Sequence, residues 1–267
     1  EYLGTGQIAE SSRVDNYPGI PGIDGYSLGE KFREHAESLG VEFTEAQVLS
    51  LGQKDGIWII GCDEDITLES KAVIYATGCK NRPLGVPGEE KYYGRGLSFC
   101  AVCDGAFYKG KRVAVIGGGD TALDDAMYLS DICEKVYLVH RREFFRGSAS
   151  TLEKLKQKEN VEIIVNARVE EITGDKKIDG IILDNKTKLN ISGLFAAVGM
   201  IPQTELLKEF GVLDESNYVK ASEDTKTTVN GLFAAGDVRT KQLRQVVTAA
   251  ADGANAIYSV MEYLRNI

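Results

Sequence analysis

The sequence has few of the features that mark several classes of protein. Its 267 residues contain 5 cysteines, 5 prolines and 2 histidines, and no apolar run reaches the length of about 18 residues that a membrane span needs. So few cysteines exclude a disulfide scaffold and suggest a reducing compartment. Lysine and arginine number 31 against 40 acidic residues, a net charge of −9, which argues against a nucleic-acid-binding surface. We therefore expect a cytoplasmic protein with neither nucleic-acid nor membrane partners.

Glycine, in contrast, is abundant, with 29 residues. Apolar runs continue between the glycines, so they indicate tight turns and close backbone approaches rather than disorder. Short β-rich runs alternate with helical segments, which is typical of an α/β fold with a largely parallel sheet. Strands are predicted at 57–60, 71–75, 112–116, 136–139, 161–165, 169–172, 178–183 and 194–198, and helices at 32–39, 120–129, 151–158 and 246–264.

A glycine-rich turn stands between a predicted strand and a predicted helix. Residues 117–122 read Gly-Gly-Gly-Asp-Thr-Ala and fit the pattern G-x-G-x-x-A. Glycines there let the backbone approach a pyrophosphate, which the helix N-terminus then faces. The pattern alone is weak, since a glycine-rich turn without a ligand is the alternative. Its place between strand and helix favours a dinucleotide site.

The next predicted strand indicates which dinucleotide binds. An NAD site has an acidic residue about 20 residues after the glycines. Here the strand instead ends in His140-Arg141-Arg142, with Arg146 just beyond. Arginine suits a 2′-phosphate through charge-assisted bidentate bonds, so NADPH is preferred to NADH. A solvated surface patch is the alternative.

Cys100 and Cys103 form a C-x-x-C motif, which is typical of a redox disulfide or of half a zinc site. The other three cysteines are isolated and offer no second ligand pair. No metal site is therefore predicted, and redox chemistry is favoured over two ordinary buried thiols. Asp104, beside Cys103, is a candidate for moving a proton to or from a thiolate, unless it is an ordinary turn carboxylate.

A flavin is expected between NADPH and the dithiol. NADPH delivers two electrons as a hydride, whereas a disulfide opens by nucleophilic chemistry, and a flavin connects the two. Gly236-Asp237 follows a short apolar run, and its carboxylate would accept a bond from a ribityl hydroxyl. A simple Gly-Asp turn is the alternative.

Motifs of one known family occur in order along nearly the whole chain. They are Gly6-Gln7-Ile8, 14–19, Ala76-Thr77-Gly78, 94–96, 100–105, 117–122, His140-Arg141-Arg142 with Arg146, Gly236-Asp237-Val238 and Arg244-Gln245-Val246. On these motifs the chain closely resembles the bacterial-type, low-molecular-weight thioredoxin reductases of the pyridine nucleotide-disulphide oxidoreductase family.

The resemblance implies two Rossmann-like domains. An FAD domain would comprise residues 1–82 and 201–267, and an NADPH domain with the redox pair would be inserted at 83–200. The first β–α unit of the FAD domain is absent from this chain, and we expect it in the complete protein. The resemblance also implies a homodimer that passes electrons from NADPH through FAD and the Cys100–Cys103 disulfide to thioredoxin or a thioredoxin-like protein.

The resemblance further assigns roles to individual residues. Cys103 would face the flavin, and Cys100 would attack the thioredoxin disulfide with Asp104 as acid/base. The residues expected at FAD are Gly6, Gln7, Ile8, Asn16, Thr77, Gly78, Gly236, Asp237, Val238, Arg244, Gln245 and Val246. Those expected at NADPH are Gly117, Gly119, Asp120, Thr121, Asp124, His140, Arg141, Arg142 and Arg146.

The dithiol and NADPH need the same flavin, which suggests that they reach it in turn. Rotation of the inserted domain about crossovers near Arg82 and Gly199 would achieve this. Four alternatives stay open: the flavoprotein reductase of a peroxiredoxin system, a ferredoxin-linked thioredoxin reductase, a non-enzymatic dinucleotide-binding sensor, and a zinc-binding protein, which metal analysis would reveal. His140 and the arginines argue against the ferredoxin-linked enzyme, and a flavin that NADPH reduces would argue against the sensor.

Overall fold

A computed structural model of the chain describes residues 6–11 and 13–267. Contacts group the chain into two compact units, which we call the split unit (Glu1–Lys80 with Met200–Ile267) and the inserted unit (Asn81–Gly199). The domain boundaries expected from the sequence fall after residues 82 and 200, and what each unit binds stays a prediction. Within the described ranges, no helix combines the length and the apolar character needed to cross a membrane.

The described residues form five α-helices and fifteen β-strands. The α-helices are α1 (Gly25–Ser38), α2 (Ala101–Asp104), α3 (Asp120–Ser130), α4 (Ala149–Lys156) and α5 (Val246–Leu264). The strands are β1 (Val48–Lys54), β2 (Ile57–Cys62), β3 (Thr67–Ser70), β4 (Val73–Tyr75), β5 (Cys79–Asn81), β6 (Leu97–Ser98), β7 (Arg112–Gly117), β8 (Lys135–Val139), β9 (Val161–Ile164), β10 (Val169–Thr173), β11 (Gly180–Leu183), β12 (Lys188–Asn190), β13 (Gly193–Ala197), β14 (Met200–Pro202) and β15 (Leu232–Ala234).

The inserted unit is built on a parallel sheet of order β6-β13-β7-β8-β9. Helix α3 connects β7 to β8, and α4 connects β8 to β9, as parallel neighbours require. From Val113 onward, strand β7 is apolar and buried because both of its faces are covered. Val113 and Val115 pack in one core cluster with residues of α3, whereas Ala114 and Ile116 pack in another with residues of the antiparallel β10-β11-β12 sheet.

The split unit contains an antiparallel β1-β2-β3 sheet and a parallel β4–β15 pair. Its core forms around Trp58, which is fully buried, together with Leu207 and Leu232. Strand β15 ends at Ala234, and Gly236 follows with a φ of +76°, a left-handed conformation that favours glycine. This turn sets the position of Asp237.

The sequence predicted some elements more accurately than others. Helix α5 has the predicted bounds, and α3 is one residue longer than predicted. Helix α1 begins at Gly25 rather than at residue 32, because the Asp24 carboxylate accepts the Ser27 N–H at 2.9 Å. Its buried residues include Gly25 and Gly29, so the first turns carry little of the apolar signal that reveals a helix.

Candidate functional site

The glycine turn joins β7 to α3. A Cβ at Gly117 would lie 2.4 Å from a main-chain oxygen of β13 and 2.7 Å from the Ala122 Cβ, so glycine lets strand and helix pack closely. A Cβ at Gly118 would lie 2.2 Å from the His140 ring, whereas Gly119 faces open space. Gly119 also gives α3 no side-chain cap, which leaves the positive end of this 11-residue helix available to an anion.

The loop after β8 is held against the glycine turn by main-chain hydrogen bonds. The N–H groups of Arg146 and Gly147 donate to the Gly118 oxygen at 2.7 and 3.2 Å. The Ser148 N–H donates to the Asp120 carboxylate at 2.7 Å. These bonds bring the arginines predicted from the sequence beside the N-terminus of α3, although the two segments are more than 20 residues apart in sequence.

His140 supports this loop from within. Its side chain is buried, its Nε2 lies 3.2 Å from the Phe144 oxygen, and its ring packs 4.8 Å from that of Phe145. Burial lowers the pKa of His140, so the imidazole is neutral at physiological pH and donates to the Phe144 carbonyl. Its observed contacts shape the loop, and its predicted contact with NADPH stays a prediction.

The three arginines of the loop are free to meet an anion. Arg141, Arg142 and Arg146 are exposed and form no ion pair with any residue that the structure describes. Thr121 and Asp124 are exposed on the first turns of α3. The arrangement therefore presents guanidinium groups next to the turn that would receive a pyrophosphate.

The redox pair lies in the same unit, on and just before α2. Cys100 and Cys103 form a disulfide, and the Cys103 N–H donates to the Cys100 Sγ at 3.2 Å. Both cysteines are half-buried, while Val102 between them is 60% exposed. Asp104 is half-buried and accepts a short hydrogen bond from Ser98, at 2.6 Å.

In the split unit, Asp237 has an unsatisfied oxygen. Its Oδ1 is buried and has no hydrogen-bond partner among the described residues, and burial raises the pKa of this carboxyl. The main chain around it is well held. The Gly236 N–H donates to the Asp252 carboxylate at 2.8 Å. The main-chain carbonyl oxygen of Asp237 accepts hydrogen bonds from Cys79 Sγ at 2.9 Å and from Arg244 Nε at 3.3 Å. An orphaned buried acceptor in a rigid turn fits a ligand hydroxyl.

Residues distant in sequence meet around this turn. Asn16 Nδ2 donates to Gln245 Oε1 at 2.7 Å across 229 positions. Thr77 Oγ1 donates to the Gln203 oxygen at 2.6 Å. The remaining residues expected at FAD are placed as follows: Gly6, Gln7 and Ile8 in a 3₁₀ helix (Gly6–Glu10), Gly78 with a φ of +68°, Val238 buried, and Val246 as the first residue of α5.

An ion network under the same turn was not anticipated from the sequence. Arg239 and Asp252 are both buried and form two hydrogen bonds, at 2.8 and 2.6 Å. Lys241 Nζ lies 2.9 Å from Asp252, and Glu223 approaches Arg239 at 3.2 Å. The one available signal was an aspartate within the apolar stretch of α5. In the described part of the chain, no cluster of histidine, cysteine and acidic residues has the arrangement of a metal site.

Comparison with known proteins places these features in a family. The family described as pyridine nucleotide-disulphide oxidoreductase matches residues 4–253. The chain belongs to this family. A thioredoxin reductase of Helicobacter pylori is 40% identical over 273 residues, covering 98% of this chain and 88% of that protein.

Solved structures of the family agree with the fold. Thioredoxin reductase from Streptococcus pyogenes is similar with a TM-score of 0.90 at 37% identity, covering 98% of this chain and 87% of that one. The enzyme from Giardia duodenalis is similar with a TM-score of 0.88 at 36% identity, covering 97% and 87%. Membership of the family implies a flavin and a pyridine nucleotide. The α/β fold class with two Rossmann-like domains, expected from the sequence, is thereby confirmed.

Proposed function

We propose that the chain is an NADPH-dependent thioredoxin reductase, which passes electrons through FAD and the Cys100–Cys103 disulfide to thioredoxin. One observation carries the proposal most directly. The disulfide, the uncapped glycine turn and the unpaired arginines all lie in one unit of a chain whose relatives are named thioredoxin reductase. NADPH bound through its 2′-phosphate would supply the two electrons, and the dithiol would deliver them to thioredoxin.

We propose that the split unit binds FAD. The support is the orphaned Asp237 oxygen, which would accept a hydrogen bond from a ribityl hydroxyl, together with the convergence of Asn16, Thr77 and Gln245 in this unit. A flavin bound there would supply hydride acceptance from NADPH and two-electron reduction of a disulfide. The turn at Gly236 would hold the carboxylate ready for the ligand.

We propose that the inserted unit binds NADPH at the glycine turn. Gly117 and Gly119 would let the pyrophosphate approach the backbone, and Arg141, Arg142 and Arg146 would bind the 2′-phosphate. Asp120 is already engaged with the Ser148 N–H, so it would shape the turn as well as line it. A ferredoxin-linked enzyme has no need of three unpaired arginines beside this turn.

The reaction with thioredoxin begins from the enzyme in which Cys100 and Cys103 are both reduced. Cys100 loses its proton to the Asp104 carboxylate, and the thiolate attacks one sulfur of the thioredoxin disulfide. The first thioredoxin sulfur leaves as a thiolate and receives that proton. Cys103 then gives its proton to the same carboxylate, and its thiolate attacks Cys100 Sγ, which restores the enzyme disulfide. The second thioredoxin sulfur leaves as a thiolate and takes up that proton. Two electrons and two protons pass to thioredoxin.

The cofactor assignment predicts a specific change in nucleotide preference. Replacing Arg141 and Arg142 together by alanine should raise the KM for NADPH by about 10²-fold and the KM for NADH by less than about threefold, because only NADPH carries the 2′-phosphate. Steady-state kinetics with both nucleotides measures this. Replacing the exposed Lys188 of β12 by alanine controls for a general loss of positive charge. Equal effects on both nucleotides would contradict the 2′-phosphate site.

The proposed function is tested by mixing the holoprotein with one equivalent of NADPH without oxygen. The visible absorption band of oxidised flavin should bleach within the mixing time. A yellow protein that does not bleach would point to another electron donor.

We also propose a cytoplasmic homodimer. The exposed apolar side chains of Ile257, Tyr258 and Met261 on α5 support a surface that another subunit covers.

A further inference from the structure

Ser98 connects the acid/base candidate to the redox loop. Its Oγ lies 2.6 Å from Asp104 Oδ2 and 3.1 Å from the Cys100 nitrogen, and the residue is 6% exposed. The Cys100 N–H can only donate, so the serine oxygen accepts that bond. The single hydroxyl proton therefore points to the carboxylate. A contact of 3.4 Å to the Cys100 carbonyl oxygen is much longer and competes poorly for the proton.

This arrangement makes the two carboxylate oxygens of Asp104 unequal. Oδ2 accepts the short bond from Ser98, whereas Oδ1 has no hydrogen-bond partner among residues 6–11 and 13–267. The main chain is fixed as well, since the Asp104 N–H donates to the Cys100 oxygen at 3.1 Å. With one oxygen tied and the backbone held, the carboxylate has one orientation, and Oδ1 is the oxygen left for exchange.

We propose that Ser98 is a positioning residue for the thiol chemistry: it holds Asp104 Oδ2 so that Oδ1 carries the proton between the cysteine pair and the departing thioredoxin sulfur. The proposal rests on the thioredoxin reductase function above. In the forward step, Oδ1 takes the Cys100 proton as the thiolate forms. The Cys100 sulfur bonds to one thioredoxin sulfur while the thioredoxin S–S bond breaks, and Oδ1 then gives the proton to the released thiolate.

Ser98→Ala would remove one hydroxyl with two consequences. Asp104 would lose the donor that fixes its orientation, and the Cys100 N–H would lose its acceptor. Both act on the redox loop and leave the glycine turn and the arginine loop unchanged. The effect should therefore appear in the reaction with thioredoxin and not in the reaction with NADPH.

The matched control comes from the same unit. Ser130 is also 6% exposed, and its Oγ donates to the Met127 oxygen at 2.6 Å, within α3 and remote in sequence from Cys100 and Cys103. Replacing Ser130 by alanine removes a hydroxyl of equal burial with no contact to Asp104. Ser98→Thr keeps the hydroxyl at position 98 and should retain its bond.

The experiment measures the rate at which thioredoxin reoxidises each NADPH-reduced holoprotein, as a function of pH. Ser98→Ala should lower this rate about tenfold at pH 7 and change its pH profile, because the carboxylate that exchanges the proton loses its hydrogen-bond donor. Ser98→Thr and Ser130→Ala should stay within about twofold of the parent. Reduction of the flavin by NADPH should be unchanged in all variants.

A double-mutant comparison distinguishes a positioning role of Ser98 from a role in packing alone. In an Asp104→Asn background, Ser98→Ala should cause less than a twofold further loss, since the two residues act through one bond. A full tenfold further loss, or a loss in Ser98→Ala without a change in pH profile, would overturn the proposal. So would a displaced profile in Ser98→Thr, a result that stands even if Ser98→Ala is unstable. A parent protein that NADPH reduces but thioredoxin does not reoxidise would instead refute the proposed function.

Discussion

Replacing Cys100 by serine should lower thioredoxin reduction by at least about 10³-fold and leave NADPH-dependent reduction of the flavin within about twofold. The serine hydroxyl is a far weaker nucleophile than a thiolate, and no disulfide with Cys103 can form. The glycine turn and the arginine loop contain neither cysteine, so the nucleotide half of the reaction keeps its residues. Stopped-flow absorbance of the flavin and a thiol assay of thioredoxin measure the two halves separately.

Two further variants make this test specific. Cys133→Ser in the same unit should retain activity, because burial raises the pKa of the Cys133 thiol to about 11 and keeps it inert. Cys103→Ser should accumulate a mixed disulfide between Cys100 and thioredoxin, since the resolving thiol is gone. If the mixed disulfide accumulated in Cys100→Ser instead, the roles of the two cysteines would be reversed.

Replacing Asp252 by alanine should cost about 3–5 kcal/mol of unfolding free energy. Asp252 accepts two bonds from buried Arg239 and one from Lys241, and its removal would leave both cations buried without their carboxylate. It also accepts the Gly236 N–H, so the turn before Asp237 would loosen and FAD would bind more weakly. Denaturant unfolding and the release of fluorescent free flavin on dilution measure the two effects.

Two further variants show whether the ion network or the turn at Gly236 is responsible for the loss of stability and of FAD binding. Glu223, the other acidic partner of Arg239, has a side chain that is 87% exposed. Glu223→Ala should therefore lower the unfolding free energy by less than about 1 kcal/mol. Asp237→Ala removes an orphaned buried oxygen and should weaken FAD binding about 10- to 100-fold without lowering the stability of the apoprotein. An Asp252→Ala protein as stable as Glu223→Ala would contradict the assigned role of the network.

The sequence predicted best those features that are local in the chain. The apolar run of β7, the glycines after it and the spacing of the cysteines are contiguous patterns with one structural solution, and the sheet and the disulfide confirm them. Helix α5 was equally clear because its apolar stretch is long. Helix α1 was predicted too short because its first turns bury glycines instead of large apolar side chains.

Long-range contacts could not be predicted from one sequence. Nothing in the sequence around Asn16 indicates that it meets Gln245, and Arg239 gives no sign of its bidentate partner in α5. The arginines were correctly expected after β8, but the bonds from Arg146 and Gly147 to Gly118 depend on loop geometry. Ser98 was missed because a lone serine before a C-x-x-C motif has no pattern of its own. The cofactor contacts of individual residues and the alternation of the two units stay predictions.

Two electrons from each NADPH should appear as two thiols in thioredoxin. The most direct test incubates the holoprotein without oxygen with limiting NADPH and an excess of oxidised thioredoxin from the same organism, then counts NADPH consumed and thioredoxin thiols formed. We expect two new thiols for each NADPH oxidised, and none with Cys100→Ser. Oxidation of NADPH without new thiols in thioredoxin would contradict this expectation.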